Sequence, residues 1–597
     1  MAEILDRKDK LPEGRTRLIE VLIVLGFVGL VAGLWQLQIL NGAKYAELAR
    51  ENRIRIVPIP APRGRMFDRR GRLLVGNYPS FTAYLVRDGK KNWRQDLPAI
   101  ASGLFVPLSD LQAALKQYRT APTYQPIPIK QDITIADQGF IAAHRDDFPE
   151  LEAVMTSRRL YPDNGYAANL IGYVGEPTPR QVRTNNLRPG AVVGKSGLEA
   201  YYNQQLMGTD GEKRMLVNSR AQVMGQLSER PPIPGQDLHL TIDADIQTAA
   251  EKALGGRPGA VVALDPQTGA VLALVSRPTF DPNAFVQGLQ PQQWSQWVND
   301  PEHPLLDKAI QAQLAPGSVF KLVMAVAGLQ TGLAEHLDVD CTGVFDYYGH
   351  PYRCWIYTEQ HHGHGVLNIS QALTQSCDFY FYDLGSKLGI QTIDQYATML
   401  GLGRPTGIDL PGEAKGVVPS PQRQMKVYHR AWYRGETINV SIGQGSVQVT
   451  PIQLARLVGG IADGGYFARP HLNADAANTG GFNVPLTPVT VATILKGMRG
   501  VVEPGGTAAS AHLVGVDFGG KTGTAQTISD AALRRLTGNT SRFTPNVWFV
   551  GVSPLQNPQI AVCVLFQRGF ESSYAGRIAA RVVQAYWLAE QKEGLLH

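Results

Sequence analysis

The strongest pattern along the chain is an unbroken apolar one: Val21 to Ala43 contains no charged residue and opens Val-Leu-Ile-Val-Leu-Gly-Phe-Val-Gly-Leu-Val. A stretch of that length is long enough to cross a bilayer as a helix, which predicts a spanning segment over residues 18–41. Arg7, Lys8, Lys10, Arg15 and Arg17 precede it, and the preference of Lys and Arg for the cytoplasmic side puts residues 1–17 in the cytoplasm and the remainder outside. No small-x-small cleavage site follows, so a retained anchor is expected and not a cleaved leader. After the anchor, residues 44–52 read as a short helix, and Ile54 to Pro60 alternates like a strand. Arg63 to Leu74 carries Asp and Gly where tight turns between extended pieces need them. Residues 80–230 mix short strands and helices around a Gly-rich stretch at 190–197, with no constellation of acids or nucleophiles. Residues 42–230 therefore read as an accessory domain, ending where Pro231, Pro232 and Pro234 stiffen the connection.

Beyond that break the pattern becomes regular. Asp237 to Ile242 alternates as a strand, and a helix is expected from Asp245 to about Leu254. The apolar runs 260–264 and 270–275 flank Asp265-Pro266-Gln267-Thr268-Gly269, the turn chemistry of a hairpin. Two further strands are predicted at 546–552 and 559–566, followed by a helix over 574–591. The fold class is α+β, with residues 231–597 forming a mixed domain in which helices pack on an antiparallel sheet.

Composition narrows the function without naming it. A chain of 597 residues exceeds one ordinary core, and 44% hydrophobic with 18% charged residues excludes wholesale disorder. The net charge of +6 suits a mildly basic solvated surface. No dense Lys/Arg and aromatic patch stands out, so no nucleic-acid partner is expected.

Three short segments carry chemistry. Pro316-Gly317-Ser318-Val319-Phe320-Lys321 opens an apolar run, which puts Ser318 at a helix start and Lys321 one turn on, on the same face. A hydroxyl becomes a nucleophile when a nearby amine of lowered pKa takes its proton, and a helix N-terminus favours the negative charge that develops. Ser376-Cys377-Asp378 lies between two helical stretches, and Lys521-Thr522-Gly523-Thr524 follows Phe518-Gly519-Gly520. Alone, each is weak. In this order they form the Ser-x-x-Lys, Ser-Asp-Asn and Lys-Thr-Gly set of serine acyl-enzymes.

With these motifs the chain resembles the class B penicillin-binding proteins. Arg63-Gly64-Arg65, Val193 to Glu199, Ser441 to Gly445 and Trp548 to Gly551 extend the likeness over nearly the whole sequence. Gly363-His364-Gly365, Ser441 to Gly445 and Val193 to Glu199 make it most similar to the elongation subgroup, penicillin-binding protein 2, with the division-specific transpeptidase as the alternative. The resemblance implies a penicillin-binding transpeptidase domain on an elongated α+β pedestal of the dimerisation type. It also implies a D,D-transpeptidase acting on peptidoglycan stem peptides and inhibited by β-lactams. Ser318 is then expected to attack the D-Ala-D-Ala carbonyl, Lys321 to take its proton and Ser376 to relay a proton to the leaving amine. Lys521 would hold the substrate carboxylate with Thr522 and Thr524. The backbone N–H groups of Ser318 and Thr524 would form the oxyanion hole, and Gly523 would keep the strand clear for substrate. Asp378 stands where the family usually has Asn, and a carboxylate there is expected to favour the protonated forms of both lysines. No glycosyltransferase-type acidic motif occurs between residues 60 and 230, so the resemblance implies a multispanning polymerase partner of the RodA type. A carboxypeptidase, a β-lactamase or a non-catalytic β-lactam sensor are the rival readings.

Cys341, Cys354 and Cys377 cluster in sequence with His361, His362 and His364, while Cys563 falls in a predicted core strand. Three thiolates and an imidazole suit a tetrahedral Zn²⁺ site, and Cys341, Cys354, His364 and Cys377 are the expected ligands of one structural zinc that takes no part in the chemistry. The spacing lacks a Cys-x-x-Cys pair, and a Cys341–Cys354 disulfide is the competing expectation.

Overall fold

The computed structural model describes residues 13–43, 54–87, 92–119, 121, 123, 125–178, 180–182, 187–217, 223–476, 480–526, 544–569, 572–592 and 594. The helix expected over 44–52 lies outside the described residues. The chain forms two compact units. One takes Met1–Ala61, Ser80–Thr156 and Thr209–Ile233; the other takes Pro62–Pro79, Ser157–Gly208 and Pro234–His597.

In the first unit, helix Glu13–Trp35 runs on into a wider turn, Gln36–Leu40. Its segment Arg17–Leu40 has a mean hydropathy of 2.4 and buries none of its surface. At 1.5 Å per residue it spans about 36 Å, enough for a hydrocarbon core of roughly 30 Å. Strands Ile54–Ile59, Gly211–Val217 and Val223–Arg230 form an antiparallel sheet. A separate small core gathers Leu85, Ile100, Leu104, Leu111 and Ile127.

The units do not divide at residue 230, because residues 62–79 and 157–208 fold with the C-terminal part. Arg70 and Arg72 pair with Asp243 and Asp245 at 2.9 and 3.0 Å, which ties the first of these segments to that part, and a buried cluster ties the two segments to each other. Glu199 is completely buried and accepts from Arg63 Nε at 2.6 Å and Arg159 Nε at 2.7 Å, with Tyr161 Oη at 3.3 Å. A buried carboxylate is tolerable only with its partners in place, so three distant segments are held together. The strand expected over 237–242 is also shorter. Leu238–His239 pairs in parallel with Met66–Phe67, and Leu240 makes an isolated antiparallel bridge to Asn473.

Elements of the second unit are numbered here in chain order. Its sheet is formed by β1 (Gly259–Leu264), β2 (Val271–Arg277), β3 (Gly519–Ala525), β4 (Asn546–Ser553) and β5 (Ile560–Phe566), all antiparallel, in the order β2-β1-β5-β4-β3. Its central strands are apolar at nearly every position, which a sheet with one wet face would not tolerate. Alternation survives as a choice between two cores. Ala260, Val262, Ala561, Cys563, Trp548 and Val550 face one side, with helices α2 (Lys321–Gln330) and α5 (Pro451–Ala462). Val261, Ala263, Val562, Val564, Val547 and Phe549 face the other, with α1 (Ala244–Leu254) and α7 (Ser572–Lys592). Between them in sequence come α3 (Asp378–Met399), α4 (Arg434–Ser441) and α6 (Pro488–Val502). The result is a three-layer α/β/α arrangement with β3 at an edge of the sheet, where its outer side is open to an added strand.

Candidate active site

The nucleophile turn is built by a proline and a glycine. Pro316 precedes a short 3₁₀ turn, Gly317–Phe320, that feeds directly into α2, so the expected helix start at Ser318 is tighter than an α-turn. Gly317 has φ of +55°, and a Cβ there would lie 2.4 Å from the Thr524 carbonyl oxygen. No other residue meets both conditions cheaply. Residues Lys321 to Leu329 of α2 are buried. Burying the Lys321 stem orders it, but its ammonium must find acceptors inside the protein.

Those acceptors come from the second motif. Lys321 Nζ donates to Asp378 Oδ1 at 2.6 Å, to the Ser376 carbonyl at 2.9 Å and to Ser376 Oγ at 3.4 Å, and sits 5.5 Å from the centre of the Phe381 ring. Helix Ile369–Thr374, closed by a capping box at Asn368, delivers the chain to Ser376, and α3 begins at Asp378. Ser376 has φ of +52°. A left-handed serine is strained, and such strain is held where surroundings over-determine the geometry. Asp378 occupies the first turn of α3, where a helix N-terminus favours a carboxylate, and its Oδ2 accepts the Trp355 N–H at 3.0 Å. Burial pushes the Asp378 carboxyl up, and Lys321 only partly opposes this.

The third motif closes the site from β3. Lys521 Nζ donates to Ser376 Oγ at 2.9 Å and to the Thr522 carbonyl at 3.1 Å. It is fully buried, and its pKa is lowered well below the ordinary lysine value by burial and then by Lys321, with Asp378 opposing. The carboxylate therefore serves one lysine and not both. As expected, it favours the protonated form of Lys521, but only through space, because its oxygens are taken by Lys321 and Trp355, and burial with the Lys321 charge outweighs it. Thr522 Oγ1 lies 2.9 Å from Thr507 Oγ1, and Thr524 is exposed at the strand edge. The reason expected for Gly523 is corrected. A Cβ at Gly523 would meet the Pro316 carbonyl oxygen at 2.7 Å and Val319 Cγ2 at 2.9 Å, so the missing side chain makes room for the nucleophile turn, not for substrate.

All three motifs thus converge. Four contributors were given no role from the sequence: Trp355, Thr507, Gln444, whose Nε2 donates to the Thr524 carbonyl at 3.2 Å, and Trp548, whose ring N–H donates to the Ala315 carbonyl at 2.9 Å. Gln444 and Trp548 lie in runs already noted for the family resemblance. Trp355 and Thr507 carry no local signal, since each acts through a partner far away in sequence.

Against this site lies a second cluster. One donor atom each from Cys341, Cys354, His364 and Cys377 falls within 4.8 Å of the others. All four cysteines are free, so no Cys341–Cys354 bond competes. His364 Nδ1 is 3.6 Å from Cys341 Sγ and 3.7 Å from Cys354 Sγ. Hydrogen bonds from Cys354 and Cys377 hold the Cys341 thiol far below its usual range. Zinc–sulfur bonds of about 2.3 Å put tetrahedral sulfurs roughly 3.8 Å apart, which this donor set fits. Cys563 is remote from this cluster in the sheet core, where burial pushes its thiol up.

Residues 259–586 match the penicillin binding protein transpeptidase domain, and residues 58–240 match the penicillin-binding protein dimerisation domain. The chain is 32% identical over 607 residues to the peptidoglycan D,D-transpeptidase MrdA of Acinetobacter baumannii, covering 99% of this chain and 89% of that protein. It is similar in structure to penicillin-binding protein 2 of Helicobacter pylori in complex with MreC, with a TM-score of 0.78 and 26% identity over 90% of this chain and 99% of that one. A chain of a peptidoglycan synthase complex that coordinates polymerization and crosslinking has a TM-score of 0.69 and 30% identity, over 96% and 99% of the two chains.

Proposed function

This chain belongs to the class B penicillin-binding proteins of the elongation type, and on that premise we propose how its own residues carry out acyl transfer. It is a serine-type peptidoglycan D,D-transpeptidase, anchored in a membrane by its N-terminal helix, and it binds β-lactams. The observation that carries the residue assignment is the position of Ser376 Oγ between two buried amines, 2.9 Å from Lys521 and 3.4 Å from Lys321, one helical turn from Ser318 through Lys321.

Ser318 attacks the D-Ala-D-Ala carbonyl. Lys321 takes the Ser318 proton as it passes one of its own through Ser376 Oγ to Lys521, the amine that burial poises toward its neutral form. The reverse transfer delivers a proton to the departing D-alanine amine. Thr522 and Thr524 bind the substrate along the open edge of β3, where an extended peptide adds as a strand. The backbone N–H groups of Ser318 and Thr524 stabilise the oxyanion, each worth about 3 kcal/mol of barrier. Exposure to a labelled penicillin followed by mass spectrometry tests this: one covalent adduct, on Ser318, is expected. An adduct elsewhere overturns it. Release of the acyl group only to water in the presence of a wall-peptide amine would make the enzyme a carboxypeptidase.

Zinc held by Cys341, Cys354, His364 and Cys377 is part of the same proposal. When bound it supplies a structural brace. Cys377 joins Ser376 to Asp378, and Cys354 precedes the Trp355 N–H that holds Asp378, so these ligands position the proton relay without touching substrate. The Lys and Arg residues before the anchor support a catalytic unit on the outer, periplasmic face of the cytoplasmic membrane. Glycan polymerisation is assigned to a partner of the RodA type, a reading supported by the likeness to a chain of a synthase complex.

A further inference from the structure

Beside the site lies a concentration of rings and cations that the reaction described so far leaves unused. The hairpin of strands Val344–Tyr347 and His350–Arg353 meets the start of α4, which follows helix Pro421–Tyr428 in the chain. Arg434 Nη1 donates to Tyr348 Oη at 2.6 Å, and its guanidinium carbon sits 5.5 Å from that ring's centre. Tyr352 Oη donates to the Gly435 carbonyl at 3.4 Å. Tyr348 and Tyr433 are 76% and 71% exposed, far more than rings of that size need to be. Arg434 opens α4, Arg430 lies in the turn before it, and Arg423 and Lys426 lie on helix Pro421–Tyr428, while Glu436 is the sole acid between Gly416 and Thr450. Arg430 already pairs with Glu436 at 2.7 Å, and Asp346 of the hairpin is spent on the Gly349 N–H at 3.0 Å. The ledge is thus an aromatic surface with excess positive charge. It is denser than the sequence reading allowed, because its rings come from two segments 86 residues apart.

Two stretches of chain, each ending in a hydrogen bond, tie the ledge to the chemistry. Helix α4 runs from Arg434 for eight residues, roughly 12 Å. Just beyond it the Gly443 carbonyl accepts the Gly317 N–H at 3.0 Å, next to Ser318. The hairpin leads through Cys354 to Trp355, which holds Asp378.

We propose that this ledge binds the acceptor of the transfer, the carboxylate-bearing stem peptide of a second wall strand. The proposal rests on the transpeptidase reading above, in which the edge of β3 with Lys521, Thr522 and Thr524 is occupied by the donor. An acceptor must bring a free amine to the ester on Ser318 while the carboxylates of its peptide stay bound nearby. Guanidinium and ammonium groups take those carboxylates, and exposed tyrosines take the apolar faces of peptide or attached sugar. As the amine attacks, its C–N bond to the acyl carbon forms, the C–O bond to Ser318 breaks, and the proton lost by the amine returns to Ser318 Oγ by way of Lys321.

The test uses the full-length anchored protein carrying Arg434→Gln with Lys426→Gln, and separately Tyr348→Phe. The acyl-enzyme is partitioned between water and two acceptors: a wall-peptide amine with free carboxylates, and the same peptide fully amidated. The expected result is a tenfold or greater fall in the transfer-to-hydrolysis ratio of the double variant with the carboxylated acceptor, through KM. The amidated acceptor should change by less than twofold, and Tyr348→Phe should shift the carboxylated acceptor by a smaller factor. An unchanged ratio overturns the proposal and leaves the ledge to a protein partner. An equal fall with both acceptors also overturns it, since that is general distortion. Failure of the unaltered protein to acylate at Ser318 would instead sink the transpeptidase assignment of these residues.

Discussion

Around Glu199 two guanidiniums meet one carboxylate, and around Asp378 two ammoniums surround another, so two buried clusters of one unit share a charge formula while their wiring differs. Arg63 and Arg159 both bind Glu199 directly, at 2.6 and 2.7 Å. Burial pushes that carboxyl up, but Arg159 and Arg63 outweigh it and the net shift is down. In the active site only Lys321 reaches Asp378, at 2.6 Å, and the second cation is left with hydroxyl and carbonyl partners. There burial wins, and both Asp378 and Lys521 are displaced toward their neutral forms. Saturated pairing makes a clamp. Pairing that leaves one amine without a carboxylate suits the proposed proton relay.

The sharpest way to break this contrast is to remove the nucleophile. Ser318→Ala should lower acylation by about six orders of magnitude, as loss of a serine nucleophile typically does, with thermal stability unchanged; stopped-flow acylation by a reporter β-lactam reads this. The relay comes next. Lys521→Met should cost about 10³–10⁴-fold in acylation, the scale of a lost proton-transfer group. Lys521→Arg separates charge from proton transfer, since a guanidinium does not deprotonate. If Lys521 only holds the substrate carboxylate, the arginine variant keeps most of the activity and the relay is wrong. Because the Lys521 pKa is lowered, the acid limb of the wild-type rate profile should fall well below the ordinary lysine value of 10.5.

The clamp predicts the opposite phenotype. Glu199→Gln strands two buried guanidiniums and should destabilise the catalytic unit by about 3–5 kcal/mol, while the folded fraction still acylates. Its pH signature has a definite sign. The folded pKa lies below the unfolded 4.5, so the native state binds fewer protons in that window. The contribution is fully present above about pH 4.5 and lost as pH falls through the folded value. Denaturant melts across that range should show a slope that Glu199→Gln removes. The smallest effect is expected at the proposed zinc ligands. Cys354→Ser should abolish stoichiometric zinc in the purified protein and slow acylation about 10–100-fold, the usual cost of supporting positions. Full activity without zinc would detach that cluster from Ser376 and Asp378.

Much of this was legible in one dimension. The apolar run at Val21 announces a membrane helix because the bilayer imposes a length, and the apolar runs of β1, β4 and β5 announce buried strands because sheet faces impose a chemistry. Ser318, Lys321, Ser376 and Lys521 were identifiable because each motif is short and local. The four residues that could hold a zinc were also readable as a group, and the fold brings their donor atoms within 4.8 Å of one another. Less legible were positions defined by distant contacts. Trp355 and Thr507 act through backbone or hydroxyl geometry that leaves no trace in residue type, and residues 62–79 are held to residues 157–208 by a buried pair, Arg63 with Glu199, 136 positions apart.

Residue order alone therefore determined the apolar anchor helix, the fold class and the three motifs that the fold brings together, since all three follow from local pattern and side-chain chemistry. It was silent on which lysine receives the carboxylate and why Gly523 has no side chain. Those answers depend on packing distances of a few ångströms between segments far apart in the chain, and Coulomb and steric energies respond to distance in space, not to separation along the backbone.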